Sequence, residues 1–222
     1  MTFQNTLEFA KNLDIQDHLK EYRKEFYFPK VNGKQVIYFT GNSLGLLSKR
    51  AKNYVDDIMN DWQNLAIEGY FHAEKPWLDY HERFATPLSN IVGALPSEVT
   101  VMNTLTVNLH LLMVSFYKPQ PKKFKILCEA KAFPSDQYMM QSQVQFHGYN
   151  PEEAVVEIHR REGEHNLRLE DILAKIEEVG DELALVLIGG LNYYTGQVFD
   201  MKTITEAGHK VGAFVGWDLA HA

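Results

Sequence analysis

From Glu98 onward the chain alternates short apolar or β-branched runs with longer segments of helical period, and this alternation restricts it to few architectures. Strand-like Val99 to Met102 precedes an apolar helix, Leu105 to Tyr117. Strand Lys125 to Cys128 precedes helix Ser135 to Gln145, and strand Val155 to His159 follows. Next come a helix from Leu169 to Val179 stopped by Gly180, the apolar run Leu183 to Ile188, a helix from Met201 to Val211 stopped by Gly212, and strand Ala213 to Trp217. Strands separated by helices of about ten residues cannot be hairpin partners, so the pattern predicts a largely parallel sheet covered on both faces. In such α/β folds ligands sit beyond the carboxyl ends of the strands, beside helix amino termini. The residues just after each strand are therefore the candidates for function.

The part before Glu98 reads differently. Residues up to about Lys30 suggest an amphipathic helical arm, with Leu7, Ala10, Leu19, Tyr22 and Phe26 on its apolar side and Asp14 or Asp17 as caps. An extended piece, Val36 to Thr40, leads into Gly41-Asn42-Ser43-Leu44-Gly45, whose glycines suggest unusual backbone angles and leave the Ser43 hydroxyl exposed on a tight turn. Ala51, Val55, Ile58, Trp62 and Leu65 put one apolar stripe on a helix over Lys49 to Ile67. Trp77, Tyr80, Phe84, Leu88 and Ile91 continue at helical spacing, and Pro87 should kink or divide that segment. The expected division is an arm and turn over 1–45 and an α/β domain over 46–222. Asp218-Leu219-Ala220-His221-Ala222 follows a strand without the helix that should cover it, so the domain reads as truncated.

Composition narrows the partners. The 29 acidic and 22 basic residues give a formal charge of -7, which offers no general attraction for nucleic acid or anionic membrane. The lone Cys128 rules out an internal disulfide or a four-cysteine zinc site and suits a reducing cytoplasm. No H-E-x-x-H or paired-cysteine spacing points to a metal. Neither G-x-G-x-x-G nor a Gly-Lys-Ser/Thr loop is present, which argues against those modes of nucleotide binding. The amino terminus lacks the charge and apolar pattern of a signal peptide, and no apolar run approaches membrane-spanning length, so a soluble protein is expected.

Three strand ends stand out. Met102 to Asn108 joins a strand to a proline-free helix start, where free amides and the helix dipole suit phosphate and Thr104 and Thr106 add hydroxyls; an ordinary cap would look the same. Phe133-Pro134-Ser135-Asp136 puts an aromatic ring and polar groups at the next turn, although proline and an acidic residue are also plain helix-start chemistry. Asp218, after Phe214-Val215-Gly216-Trp217, is a carboxylate at the end of an interior strand; it needs a cation or donors there, or it caps a following helix. Gly189-Gly190 before Asn192-Tyr193-Tyr194-Thr195-Gly196-Gln197 could let backbone approach a ligand.

Taken in order, Gly41 to Gly45, Asn103-Thr104-Leu105-Thr106-Val107-Asn108-Leu109-His110, Phe133 to Asp136, Asn192 to Gln197 and Asp218 to Ala222 closely resemble kynureninase over nearly the whole chain. The resemblance implies a three-layer, aminotransferase-like fold (pyridoxal phosphate fold type I) with an N-terminal helical arm. It also implies a pyridoxal 5′-phosphate cofactor and hydrolysis of L-kynurenine, or 3-hydroxykynurenine, to anthranilate, or 3-hydroxyanthranilate, and L-alanine. The family serves tryptophan catabolism and NAD biosynthesis and works as a cytoplasmic homodimer. Carried onto this sequence, Leu105 and Thr106 match cofactor-phosphate positions. Phe133 matches the ring-stacking residue, with Pro134, Ser135 and Asp136 in the same motif, Asp218 the pyridine-nitrogen partner, and His221 a cofactor-site histidine. Ser43 matches a substrate-side position, and His72 takes one only with a shift within Gly69-Tyr70-Phe71-His72. Gly189 stands where relatives are expected to carry a small hydroxyl residue. The Schiff-base lysine would lie beyond Ala222, so the catalytic residues are unassigned and this chain alone is expected to be inactive. The alternatives are a cysteine desulfurase or aminotransferase of the same fold, or a non-catalytic interaction module.

Overall fold

A computed structural model describes residues 2–222. The chain divides into two compact units, one up to Val101 and one from Met102.

In the first unit, α1 (Leu7–Gln16) begins at Thr6, whose hydroxyl accepts the Phe9 amide at 3.2 Å. The cap is therefore neither Asp14 nor Asp17. Asp17 lies at the other end of the helix, where its carboxylate accepts the Leu19 amide and opens a 3₁₀ turn over Lys20–Glu25. A small hairpin follows, β1 (Lys30–Val31) with β2 (Lys34–Gln35), turned by Asn32 and Gly33 at φ 50 and 75. Two successive left-handed residues are what a tight primed turn requires. The Gly41 to Gly45 turn needs no left-handed glycine, contrary to expectation: neither glycine has positive φ. Instead the Ser43 and Leu44 amides both reach the Thr40 carbonyl, and the Tyr38 hydroxyl donates to the Leu44 carbonyl at 2.7 Å.

Helix α2 (Lys49–Leu65) starts where expected and ends two residues before Ile67, and none of its residues is buried. It stops at Ala66, at φ 48, and is followed by α3 (Gly69–His72). Gly69 is bare because Trp77 lies against it; a Cβ there would stand 2.6 Å from the indole. Pro87 divides its segment into a 3₁₀ turn, Tyr80–Phe84, and α4 (Ala85–Val92). The proline falls in the first turn of α4, where its missing amide costs nothing. Val99 to Met102 forms no strand. It is squeezed between the 3₁₀ turn Pro96–Glu98 and the left-handed Asn103, so extended backbone at Val99 finds no ladder.

The second unit runs α5 (Leu105–Phe116), β3 (Lys125–Glu129), α6 (Pro134–Phe146), α7 (Pro151–Ala154), β4 (Val155–Ile158), α8 (Leu169–Val179), β5 (Leu183–Gly189), α9 (Met201–Lys210) and β6 (Phe214–Asp218). The four strands are parallel, in the order β4-β3-β5-β6. Side chains alternate across them. Ile126, Cys128, Leu185 and Leu187 pack with Leu109, Met113, Met139 and Val144 of α5 and α6. Leu127, Val186 and Ile188 face the other way, onto Ile172 and Ile176 of α8 and Ile204 of α9. Each such fully buried aliphatic side chain contributes about 1.5–3 kcal/mol.

The strand order carries a functional consequence. From β3 the chain steps outward to β4, then returns past β3 to lay down β5 and β6. The reversal leaves a crevice between the carboxyl ends of β3 and β5, the position where α/β sheets take their ligands.

Candidate functional site

Three strands end in this region, and each brings a group that apolar strands do not ordinarily carry. Glu129 closes β3 and is 5% exposed. Gly189 closes β5 and donates its amide to the Glu129 carboxylate at 3.3 and 3.4 Å. Asp218 closes β6, half-buried, and one of its oxygens accepts the Ala220 amide at 2.7 Å. Asp136, buried in the first turn of α6, faces Asp218 within hydrogen-bonding reach and takes a bond from the Ser135 hydroxyl at 3.1 Å. Burial, then the Asp218 charge, push Asp136 up to about 7; Ser135 pulls the other way and Glu129 adds a smaller upward push. Glu129 is also raised, by burial first, against the opposing pull of backbone amides. The result is a concentration of carboxyl groups in a partly dry crevice, which favours a cationic ligand atom and discourages an anionic one. No group of three or more His, Cys, Asp or Glu among the described residues is arranged to hold a metal ion.

Aromatic rings stand beside the carboxylates. Phe133, immediately before α6, meets Tyr193 edge to face at 5.2 Å and His221 at 5.5 Å; Tyr193 and His221 are 5.8 Å apart. Tyr193 is held by a tightly bonded turn. The Asn192 side chain accepts the Tyr194 and Thr195 amides and the Thr195 hydroxyl, and Gly196 turns at φ 72. Gln197 clamps both backbone groups of Leu167 at 2.9 and 2.6 Å. Pro134 opens α6 and orients Phe133 at its cap.

Leu105 and Thr106 open α5. Thr104 occupies the cap position, yet its side chain makes no capping bond, so the first-turn amides have no side-chain acceptor. The loop is tied by Asn108 instead, whose amide donates to the Met102 carbonyl at 2.8 Å while Asn103 bonds back to it. Asn103, at φ 45, turns the chain into the helix start. An uncapped helix start of this kind suits a phosphate dianion.

The structure thus brings Phe133, Ser135, Asp136, Asp218 and His221 together. Ser43 and His72 belong to the first unit: Ser43 is exposed on its turn, and the His72 ring lies 3.5 Å from Glu68. Glu129 and Tyr193 were missed as site residues by sequence reasoning. Their signals were present: an acid ending the apolar run Ile126-Leu127-Cys128, and an aromatic within a turn after a strand. The room expected for a ligand at Gly189-Gly190 is taken by the protein. A Cβ would meet the Glu129 carboxylate at 3.2 Å from position 189 and Leu219 at 2.3 Å from position 190.

The chain matches curated kynureninases along its whole length. It is 78% identical over 222 residues to that of Flavobacterium johnsoniae, covering 100% of this chain and 52% of that protein. It is 54% identical over 220 residues to that of Myxococcus xanthus, and 47% identical over 225 residues to that of Homo sapiens, covering 96% of this chain and 48% of the human protein. No family model matches. Among solved structures, the cysteine desulfurase of Thermococcus onnurineus NA1 superposes with a TM-score of 0.62 at 18% identity, over 83% of this chain and 44% of that one. The cystine C-S lyase C-DES gives 0.61 at 17%, over 82% and 47%. These neighbours establish the aminotransferase-like α/β fold expected from the sequence. Every region of the chain falls within the match to these kynureninases, and the chain spans about half the length of those curated relatives.

Proposed function

We propose that this chain furnishes the pyridoxal 5′-phosphate site of a kynureninase, which in complete form hydrolyses L-kynurenine, or 3-hydroxykynurenine, to anthranilate, or 3-hydroxyanthranilate, and L-alanine. The observation that carries the reading is the facing pair Asp136 and Asp218, with Glu129 behind it, at the sheet's reversal point beside an aromatic ring. Bound pyridoxal phosphate supplies an electron sink for the substrate carbon next to the amine. The residues present fit that group at both ends. The anionic crevice suits a protonated ring nitrogen, and the uncapped start of α5 suits a phosphate.

In this reading Asp218 holds the proton on the ring nitrogen, and its bond from the Ala220 amide fixes the carboxylate's direction. Asp136, oriented by Ser135, carries the pair's shared proton near neutrality and prevents two bare charges from facing one another. Phe133 offers its ring for stacking, and Tyr193 and His221 brace it from the side. The amides of Leu105 and Thr106, with the Thr106 hydroxyl, take the phosphate. Ser43 and His72 serve the substrate side. A homodimer and a cytoplasmic setting go with the same reading. No described helix is long and apolar enough to cross a membrane.

The test joins this chain to the remaining half of the Flavobacterium johnsoniae relative and follows products. Anthranilate and alanine released from L-kynurenine support the reading. Inertness toward kynurenine with sulfur release from cysteine would move the chain to the desulfurase class. The chain alone, mixed with pyridoxal phosphate and reduced with borohydride, should give no stoichiometric adduct on one lysine.

A further inference from the structure

Glu129 is the one buried carboxylate at these strand ends that the proposed chemistry leaves without a role. It terminates an otherwise apolar strand, is 5% exposed, and reaches across the reversal crevice to the Gly189 amide. The bare backbone at position 189 lets the carboxylate approach closely. A Cβ there would stand 3.2 Å from the Glu129 carboxylate and 3.3 Å from the Leu191 carbonyl. We propose that Glu129 is a positioning residue, tying the ends of β3 and β5 together through Gly189 and adding its negative charge behind the Asp136 carboxyl. The inference deepens the cofactor reading above and rests on it.

The charged surroundings favour an electrostatic role over a purely mechanical tie. Asp218 faces Glu129 from the end of β6, and Asp136 feels it from α6. Arg160 and His165, from the segment after β4, line a small cleft with Glu129; the Arg160 guanidinium donates to the His165 carbonyl at 2.8 Å and forms no ion pair with Glu129. A glutamine would keep an acceptor for the Gly189 amide and remove only the charge. A fixed negative charge beside an acid raises that acid's proton affinity, and Glu129 is among the causes of the upward shift at Asp136.

The experiment is a carboxyl ¹³C NMR titration of the chain without pyridoxal phosphate, in wild type and Glu129→Gln. The expected result is an Asp136 midpoint lowered by about half a pH unit or more in the variant, with its melting temperature nearly unchanged. An unaltered midpoint in a folded variant overturns the proposal. Should Glu129→Gln not fold, the wild-type Gly189 amide decides: its chemical shift must move with the Asp136 titration, and a flat response overturns the proposal equally. Both measurements omit the cofactor, so failure to bind pyridoxal phosphate would refute the cofactor reading separately.

Discussion

The two units of this chain follow the same pattern rules and reach opposite burial. In the second, the central strands β3 and β5 are lined on both faces by buried side chains, most of them aliphatic. In the first, Ala73 is the only buried apolar side chain among the described residues, and the strongly amphipathic α2 leaves Trp62 62% exposed and Val55 61% exposed. Periodicity therefore fixes which face of a helix is apolar, while burial depends on a partner surface that periodicity does not specify. The comparison also places the chemistry. The buried acids Glu129 and Asp136 both belong to the second unit, at or just after the end of β3, where burial makes them costly enough to need a structural reason.

The difference should be largest in stability. Ile126→Ala, which empties a site between β3 and its covering helices, is expected to cost roughly 2–5 kcal/mol in urea unfolding, whereas Trp62→Ala on α2 should change it by less than about 0.5 kcal/mol. Equal losses would break the comparison. Next comes a pH effect confined to the second unit. Asp136 has its proton affinity raised on folding, from the ordinary 3.8 to about 7. Its contribution is thus complete below the unfolded value and is lost as pH rises through about 7. Thermal unfolding across that window should show declining stability, and Asp136→Asn should remove that part of the slope. A smaller contrast separates two helix caps. Asp200 accepts the Thr203 amide and hydroxyl at 3.1 and 2.8 Å at the start of the core-packed α9, so Asp200→Ala should cost about 1 kcal/mol. Thr6→Ala, on the unburied α1, should leave global unfolding unchanged. Smallest of all, neutralising the Arg168–Glu164 pair at the surface should leave the unfolding midpoint unchanged within measurement error.

The sheet was legible because strand and helix periods differ and glycines mark the stops; β3 to β6 and α5, α6, α8 and α9 fall close to the expected residues, whereas the four-residue α7 is too short to show a period. Val99 to Met102 misled because β-branched residues favour extended backbone whether or not a neighbour exists. The hairpin at Asn32-Gly33 went unread because its strands are two residues each. At the site, Phe133, Asp136, Asp218 and His221 could be named from motifs, but their meeting could not, since it depends on strand order. Glu129 and Tyr193 gain their meaning from the same order: only when β5 lies beside β3 does Gly189 come to face Glu129.

The account's central claim is that the carboxylates at the strand ends receive a cationic heterocycle. Calorimetric titration of the chain with pyridoxal 5′-phosphate, in wild type and Asp218→Asn, tests it most directly. Saturable one-site binding that weakens about tenfold or more in the variant, a difference of about 1.4 kcal/mol, is the predicted result. Binding of equal strength in both proteins would contradict it.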